Sequence, residues 1–333
     1  MIDLKSEFPS RKSPANELPK RRQWIIGLLV VFIFFILVGY YLISHGNEFR
    51  RLWEFSYYQT IMAGFCLFLG FLLNCYQMNL FLRKFGVRLS FFELIFVTHG
   101  MMLGNLVIPM RGGSAGLAIY LKKKYHLNYH KFGVIFGGTA ILVGLVSGVM
   151  SLAALAFLKF HLQIFEPWLT AISIAIIVGC VYLTLFPPRL KEVGSSKTLI
   201  FLKRLNDSWV SLSRDRKLLT KVVMSIILIT LLQTLAFYVI YIAIGKPLAF
   251  VSTLIISSLG AVANLVPITP GSIGIFDAVT IQAPRLLGLD TSAAIMATIL
   301  IRILSFLICF IVGIPGLYYF FDVSRSSSGE SPG

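Results

Sequence analysis

Long uninterrupted apolar runs are the dominant pattern along this chain. A helix that crosses a bilayer needs about 20 apolar residues, because each residue adds about 1.5 Å along a hydrocarbon core about 30 Å thick. Six runs reach that length, and the pattern predicts a transmembrane helix in each: residues 24–43, 55–82, 132–158, 168–186, 222–245 and 291–321. The sequence therefore predicts an all-α polytopic membrane protein with about six full transmembrane helices.

Two further apolar stretches, residues 91–121 and 248–287, are broken at their centres by Asn, Pro and Gly. Each break contains Asn-Leu-Val, a proline and Gly-Ser-x-Gly, and the two copies are 158 or 159 residues apart. Irregular backbone at membrane depth must be buried in protein or line a wet cavity. We therefore interpret each stretch as a re-entrant helical hairpin, whose two half-helices enter the membrane and turn back. The residues on which this interpretation depends are Asn105, Pro109, Asn264, Pro267, Pro270 and Gly274.

The distribution of basic residues favours this topology. With re-entrant hairpins, 23 of the 30 lysines and arginines fall on one side of the membrane, and the positive-inside rule makes that side cytoplasmic. The segments predicted to be cytoplasmic are the tail at 1–23, which places the N-terminus inside, the short loops at 83–88 and 122–131, the loop at 188–221 and the C-terminal tail at 322–333. The transmembrane domain at 24–321 then contains an inverted repeat, with units at 55–158 and 222–321, an architecture found in many transporters.

Composition and charge narrow the class of protein further. Hydrophobic residues make up 57% of the chain and charged residues 13%, against roughly 25% charged in soluble domains, which excludes soluble enzymes and nucleic-acid-binding modules. The net charge of +16 is then explained mainly by topology. The four cysteines lie in apolar segments without metal-ligand spacing, and no Walker A loop, Ser/His/Asp set or HExxH motif occurs. We therefore expect no metal, no cofactor and no catalytic activity.

The glycines of the two breaks come just before the second half-helix of each hairpin. Gly112 and Gly113 precede one half-helix and Gly271 precedes the other, so the free N–H groups and positive dipole of each start would favour an anion. The hydroxyl-bearing residues that could cap these starts or bind a ligand are Ser114, Thr269 and Ser272. The alternative is that proline and glycine only permit the tight turns.

Two arginines remain within the predicted membrane region, Arg111 at the first break and Arg302 about 12 residues into the last span. An arginine at the centre of an isolated membrane helix costs at least about 2.5 kcal/mol, so each should face a cavity or a partner. A guanidinium binds phosphate in a bidentate manner, which suits a lipid headgroup. The alternative is an internal ion pair between Arg302 and Asp277, and Asp277 could serve both roles by releasing Arg302 to an arriving anion. Glu93, at the start of the first hairpin, is expected to be solvated.

Around these breaks the sequence resembles the transmembrane, flippase-like region of the lysylphosphatidylglycerol synthase family and its stand-alone relatives. The resemblance covers roughly residues 24–321. It is carried by the segment at 105–113, by the Pro-Ile-Thr-Pro-Gly-Ser-Ile-Gly-Ile-Phe-Asp run at 267–277, and by Arg302. The proline-threonine-proline-glycine core is the most specific part.

The chain departs from the family pattern at a few positions. It has Ser272 and Phe276 where the family commonly has glycine and arginine, and it keeps the family's acid as Asp277. Only 12 residues follow Phe321, so we expect no soluble aminoacyl transferase domain. The resemblance therefore implies lipid translocation without lysyl transfer.

The leading hypothesis is a flippase or scramblase-like protein of the bacterial inner membrane. Its substrate would be an anionic phospholipid or a polyprenyl-phosphate-linked lipid, whose headgroup passes between the two breaks while the tails stay in the bilayer. One alternative is a non-transporting lipid-binding or accessory subunit that joins an envelope glycosyltransferase. Another is a secondary transporter of a small anion. Each reading has membrane lipid or a small anion as its ligand, and none involves nucleic acid.

Overall fold

The computed structural model describes residues 57–108, 110–185, 208, 215–266 and 269–326. This part of the chain contains nine α-helices, one short 3-10 turn and no strand. The predicted helix at 24–43, most of the predicted loop at 188–221, and Pro109 and Pro267 lie outside the described residues.

Apart from the segment at 186–215, the helices follow one another with short connections. In chain order they are α1 (Tyr57–Lys84), α2 (Phe91–Val107), α3 (Gly112–Tyr125), α4 (Tyr129–Leu162), α5 (Pro167–Leu185), α6 (Arg216–Ala243), α7 (Phe250–Ala263), α8 (Ile275–Leu286) and α9 (Thr291–Ser326), with the 3-10 turn Pro270–Ser272 between α7 and α8.

Five of the described helices, α1, α4, α5, α6 and α9, are long and apolar enough to cross a membrane. These correspond to the five predicted spans that fall within the described residues, so the prediction of a polytopic all-α protein is confirmed. α6 begins six residues earlier than the predicted span at 222–245, because Asp215 caps its start and accepts a hydrogen bond from the Leu218 amide at 3.1 Å.

The two broken stretches form helical hairpins, the first made of α2 and α3 and the second of α7 and α8. An ion pair joins the two arms of each hairpin at the end opposite the break. In the first, Glu93 at the start of α2 pairs with Lys124 at 3.0 Å near the end of α3. In the second, Lys246 before α7 pairs with Asp290 after α8, also at 3.0 Å.

The prediction that Glu93 is solvated is wrong, because protein donors replace water around its carboxylate. Glu93 is only 7% exposed and accepts hydrogen bonds from the Tyr120 hydroxyl, from the Tyr125 hydroxyl at 2.7 and 2.9 Å, and from Lys124. A buried carboxylate is tolerated when its oxygens are paired in this way.

Each hairpin belongs to a unit with the same order of helices. α1, the first hairpin and α4 form one unit; α6, the second hairpin and α9 form the other. α2 packs along α9, while the corresponding helix α7 packs along α4. α1 and α6 pack on each other and run antiparallel, since Lys84 at the end of α1 lies 2.6 Å from Asp215 at the start of α6. The first helices of the two units therefore point in opposite directions, which is the relation that an inverted repeat predicts.

Glycines allow the first hairpin to lie very close to α9. A Cβ atom added to Gly313 of α9 would lie 2.8 Å from the main-chain oxygen of His99, and one added to Gly316 would overlap the Phe96 oxygen. Small residues at a membrane helix interface permit this approach of the two backbones. The contact fixes α2 against the helix that carries Arg302.

Candidate anion site between the two helix breaks

The first break contains two consecutive non-glycine residues in the left-handed region. Met110 has φ of 54° and Arg111 has φ of 55°, a backbone conformation that costs roughly 1–2 kcal/mol per residue. Arg111 stands at the N-cap position of α3 without capping it through its side chain. Its guanidinium reaches the second break instead, where Nη2 donates to the main-chain carbonyl of Asn264 at 2.7 Å.

The start of α3 is closed by its own hairpin. The Ser114 amide donates to Asn105 Oδ1 at 2.9 Å, and Asn105 Nδ2 donates to the Ser114 hydroxyl at 3.0 Å. A Cβ atom added to Gly113 would lie 2.7 Å from the Asn105 main-chain nitrogen, so the two half-helices touch at this point. Gly112, Gly113 and Ser114, which the sequence suggests as anion ligands, do not line the cavity described below, because α2 covers the helix start.

The second break turns through three residues with positive φ, namely Gly271 at 56°, Ser272 at 53° and Gly274 at 90°. The Thr269 hydroxyl stabilises the turn by donating to the Ile273 carbonyl at 2.6 Å. The Ser272 hydroxyl donates to the Asn264 carbonyl at 3.2 Å. Arg111 and Ser272 therefore share one acceptor, and the two breaks meet there.

The start of α8 is occupied by a carboxylate from the same helix. Asp277 Oδ2 accepts a hydrogen bond from the Gly274 amide at 2.9 Å, in the position where a helix N-terminus favours negative charge. One amide at each half-helix start is thus paired with a side-chain oxygen of the chain itself. The two arginines are the cationic side chains that line the cavity among the described residues.

Arg302 on α9 completes the site. Its Nε pairs with Asp277 Oδ1, its Nη1 donates to the Gly271 carbonyl at 3.2 Å, and its guanidinium carbon lies 4.9 Å from the centre of the Phe276 ring. Its Nη2 is buried and has no hydrogen-bond partner among the described residues. The ion pair with Asp277, which the sequence left as an alternative to ligand binding, therefore coexists with an unused donor.

One cavity of about 950 Å³ connects these groups. Residues of the two breaks line this cavity together with Arg302 of α9. They are Asn105, Arg111, Asn264, Thr269, Gly271, Ser272 and Asp277. The rest of its surface is mostly apolar and comes from α1, α2, α4, α6, α8 and α9. Among the described residues that line it, two are basic, Arg111 and Arg302, and one is acidic, Asp277. The structure thus brings the two membrane arginines to a single site.

Three further polar residues line the cavity that sequence reasoning did not assign to a site: Asn74, Gln77 and Gln233. Gln77 is 4% exposed, and its Nε2 finds no partner in the described part of the chain. On α1, Asn74 and Gln77 are three residues apart and lie on the same helix face as Gly70 and Phe81. This spacing is the sequence signal that could have placed both residues on the cavity face.

Fold and site together define a polytopic membrane protein with two units of the same helix order and an arginine-lined cavity at their helix breaks. A model of the lysylphosphatidylglycerol synthase TM region matches residues 24–313, which is most of the chain. The protein belongs to that family, and the resemblance found in the sequence is confirmed.

Two curated relatives are known only as UPF0104 membrane proteins. The one from Pyrococcus horikoshii is 23% identical, and the match covers 71% of this chain and 79% of the relative. The one from Methanothermobacter thermautotrophicus is 20% identical, with coverage of 90% and 94% respectively. Neither name states an activity, so these relatives support the membrane assignment and the family.

Proposed function

We propose that this protein moves an anionic phospholipid or a polyprenyl-phosphate-linked lipid across the membrane without a covalent step. The observation that carries the proposal is the meeting of the two helix breaks at one cavity that contains both Arg111 and Arg302. Guanidinium groups in a site of low polarity bind phosphate oxygens strongly. The headgroup would pass between the breaks while the acyl or prenyl chains remain in apolar surroundings.

We further propose that the two hairpins are re-entrant. α2 has 17 residues and α7 has 14, or about 25 Å and 21 Å at 1.5 Å per residue, which is short of a hydrocarbon core of about 30 Å. Two inverted units with such hairpins are suited to expose one site alternately to either side. The charge distribution supports cytoplasmic termini, and we propose the plasma (inner) membrane as the location.

The lining of the cavity supports an amphiphilic substrate over a small inorganic anion. Polar groups are concentrated at the breaks and at Arg302, whereas the surrounding lining comes largely from residues such as Phe71, Met101, Phe136 and Ile299. A small anion gains nothing from apolar walls, while a lipid places hydrocarbon against them.

Reconstitution into liposomes tests the proposal directly. Fluorescently labelled phosphatidylglycerol and polyprenyl phosphate are placed in one leaflet, and their transbilayer exchange is compared with protein-free liposomes. We expect faster exchange with the wild type and a loss of about tenfold or more in Arg111→Gln and Arg302→Gln, because a charge-assisted bond to phosphate is roughly twice as strong as a neutral one.

Arg285→Gln is the matched control, since Arg285 lies at the end of α8 outside the cavity and donates to Gln282 at 3.1 Å. Exchange equal to that of empty liposomes for both lipids would overturn the proposal. Saturable lipid binding without exchange would instead support the non-transporting accessory role.

A further inference from the structure

The charged side chains that line the cavity determine the net charge of the headgroup that the cavity accepts. Two arginines and one aspartate line it among the described residues, so one positive charge is uncompensated. That charge belongs to Arg111, because Asp277 pairs with Arg302 while Arg111 contacts a neutral carbonyl at 2.7 Å. Arg111 is half-buried, a charge withdrawn from water is costly unless it is paired, and one unit of negative charge from a ligand balances the site.

We propose that the substrate headgroup is a phosphodiester with one net negative charge, bound between Arg111 and the unused Nη2 of Arg302. This inference rests on the proposed lipid translocation and narrows its substrate class. A monoanion that bonds to Nη2 replaces none of the existing partners, since Asp277 and Gly271 occupy Nε and Nη1. The Arg302–Asp277 pair therefore stays closed when the headgroup binds.

The arrangement disfavours two other classes of headgroup. A phosphomonoester carries about −1.5 to −2 charges near neutral pH, which exceeds the single uncompensated charge. A zwitterionic headgroup brings an ammonium, but both oxygens of Asp277 are already engaged, Oδ1 with Arg302 and Oδ2 with the Gly274 amide. No other acidic residue of the described part of the chain lines the cavity, so the ammonium finds no carboxylate.

The test compares three labelled lipids with the same acyl chains in liposomes at about pH 8, where a phosphomonoester with a second pKa of about 6 is doubly charged. These are phosphatidylglycerol, phosphatidylethanolamine and phosphatidic acid. For the wild type we expect phosphatidylglycerol to exchange about tenfold faster than the other two, which corresponds to the difference between a charge-assisted and a neutral hydrogen bond.

Two variants should then shift the preference in opposite directions. Asp277→Asn adds one positive charge to the cavity and should raise the rate for phosphatidic acid relative to phosphatidylglycerol about tenfold. Arg111→Gln removes the uncompensated charge and should abolish the preference for phosphatidylglycerol over phosphatidylethanolamine, whereas Arg111→Lys should retain it. Asp290→Asn, an acid outside the cavity, should leave all three rates in their wild-type ratio.

The outcomes separate this inference from the proposed function. If the wild type moves none of the three lipids, the proposed function fails and the inference fails with it. If it moves them at equal rates, or if the ratios are the same in Arg111→Gln and Arg111→Lys, only the inference is overturned. Asp277 also caps α8, so Asp277→Asn is the variant most exposed to a loss of folding. The comparison of Arg111→Gln with Arg111→Lys tests the inference even if Asp277→Asn does not fold.

Discussion

The two hairpins share a sequence motif but are held together by different contacts. In the first, the side chain of Asn105 binds Ser114, and Gly104 and Gly113 bring the backbones of α2 and α3 together. In the second, the corresponding Asn264 contributes its main-chain carbonyl, which accepts from Arg111 and Ser272. The first hairpin is closed on itself, whereas the second is completed by groups from α3 and α9.

Because of this difference, the two hairpins have different roles in the site. The closed first hairpin fixes the position of Arg111, and the second hairpin receives that arginine and Arg302 at its turn. A duplicated motif therefore does not imply a duplicated site. The site is a single one, and it depends on contacts between the halves.

The largest expected loss of stability comes from the glycines of the hairpins. Gly113→Ala should destabilise the protein by about 3 kcal/mol, because the added methyl group would lie 2.7 Å from the Asn105 nitrogen and the half-helices must separate. Gly271→Ala should cost about 1–2 kcal/mol, chiefly from its positive φ of 56°. Thermal unfolding in detergent measures both.

Gly137→Ala on α4 is the control for these two substitutions. Apart from the nearby backbone of α4 itself, no atom of the described residues lies within 4 Å of its added Cβ, so the substitution should be neutral or stabilise α4 by up to about 1 kcal/mol. Equal losses in Gly113→Ala and Gly271→Ala would contradict the tighter closure of the first hairpin.

The two equivalent asparagines provide the next comparison. Asn105→Ala should cost about 2 kcal/mol, because it leaves the Ser114 amide at the start of α3 without its side-chain acceptor. Asn264→Ala should change the free energy of unfolding by less than about 0.5 kcal/mol, since its main-chain carbonyl is retained. Chemical denaturation of both variants in the same detergent checks the ranking, and a larger loss in Asn264→Ala would reverse our description.

The ion pairs at the open ends of the hairpins should differ less. Glu93→Gln is expected to cost about 1–2 kcal/mol, because it weakens buried bonds from Tyr125 and Lys124 to a charged acceptor. Asp290→Asn should cost about 0.5 kcal/mol, since Lys246 and Asp290 are 55% and 47% exposed. Unfolding temperatures measured at low and high salt distinguish the two, as only the exposed pair should respond to salt.

The smallest expected effect is the response of the second hairpin to acid. The hydrogen bond from the Ala293 amide, together with Lys246, outweighs burial and lowers the pKa of Asp290. Its stabilising contribution is therefore complete above the unfolded-state value of about 3.9 and is lost as the pH falls through the lower folded-state pKa. Hydrogen exchange at the start of α9, corrected for intrinsic rates, should show extra opening below that pH in the wild type and not in Asp290→Asn.

Sequence reasoning predicted most of the fold because its signals are local. Apolar length located α1, α4, α5, α6 and α9, and the Pro-Gly breaks located the ends of both hairpins. It was wrong for Glu93, because the donors that bury its carboxylate, Tyr120 and Tyr125, lie about 30 residues away and have no pattern that links them to it. Contacts across such separations depend on packing.

The sequence by itself determined the class of protein, the positions of the helices, the repeated break and the two arginines that membrane topology leaves unused. Tertiary structure decided which of the break residues face the cavity. Packing of α2 on α3 covers Gly112, Gly113 and Ser114. The approach of the two breaks brings Arg111 into hydrogen-bond contact with Asn264, and Arg302 of α9 pairs with Asp277. The physical reason is that helix formation is encoded in nearby residues, while the pairing of a buried charge is determined by whichever distant groups the packed helices bring to it.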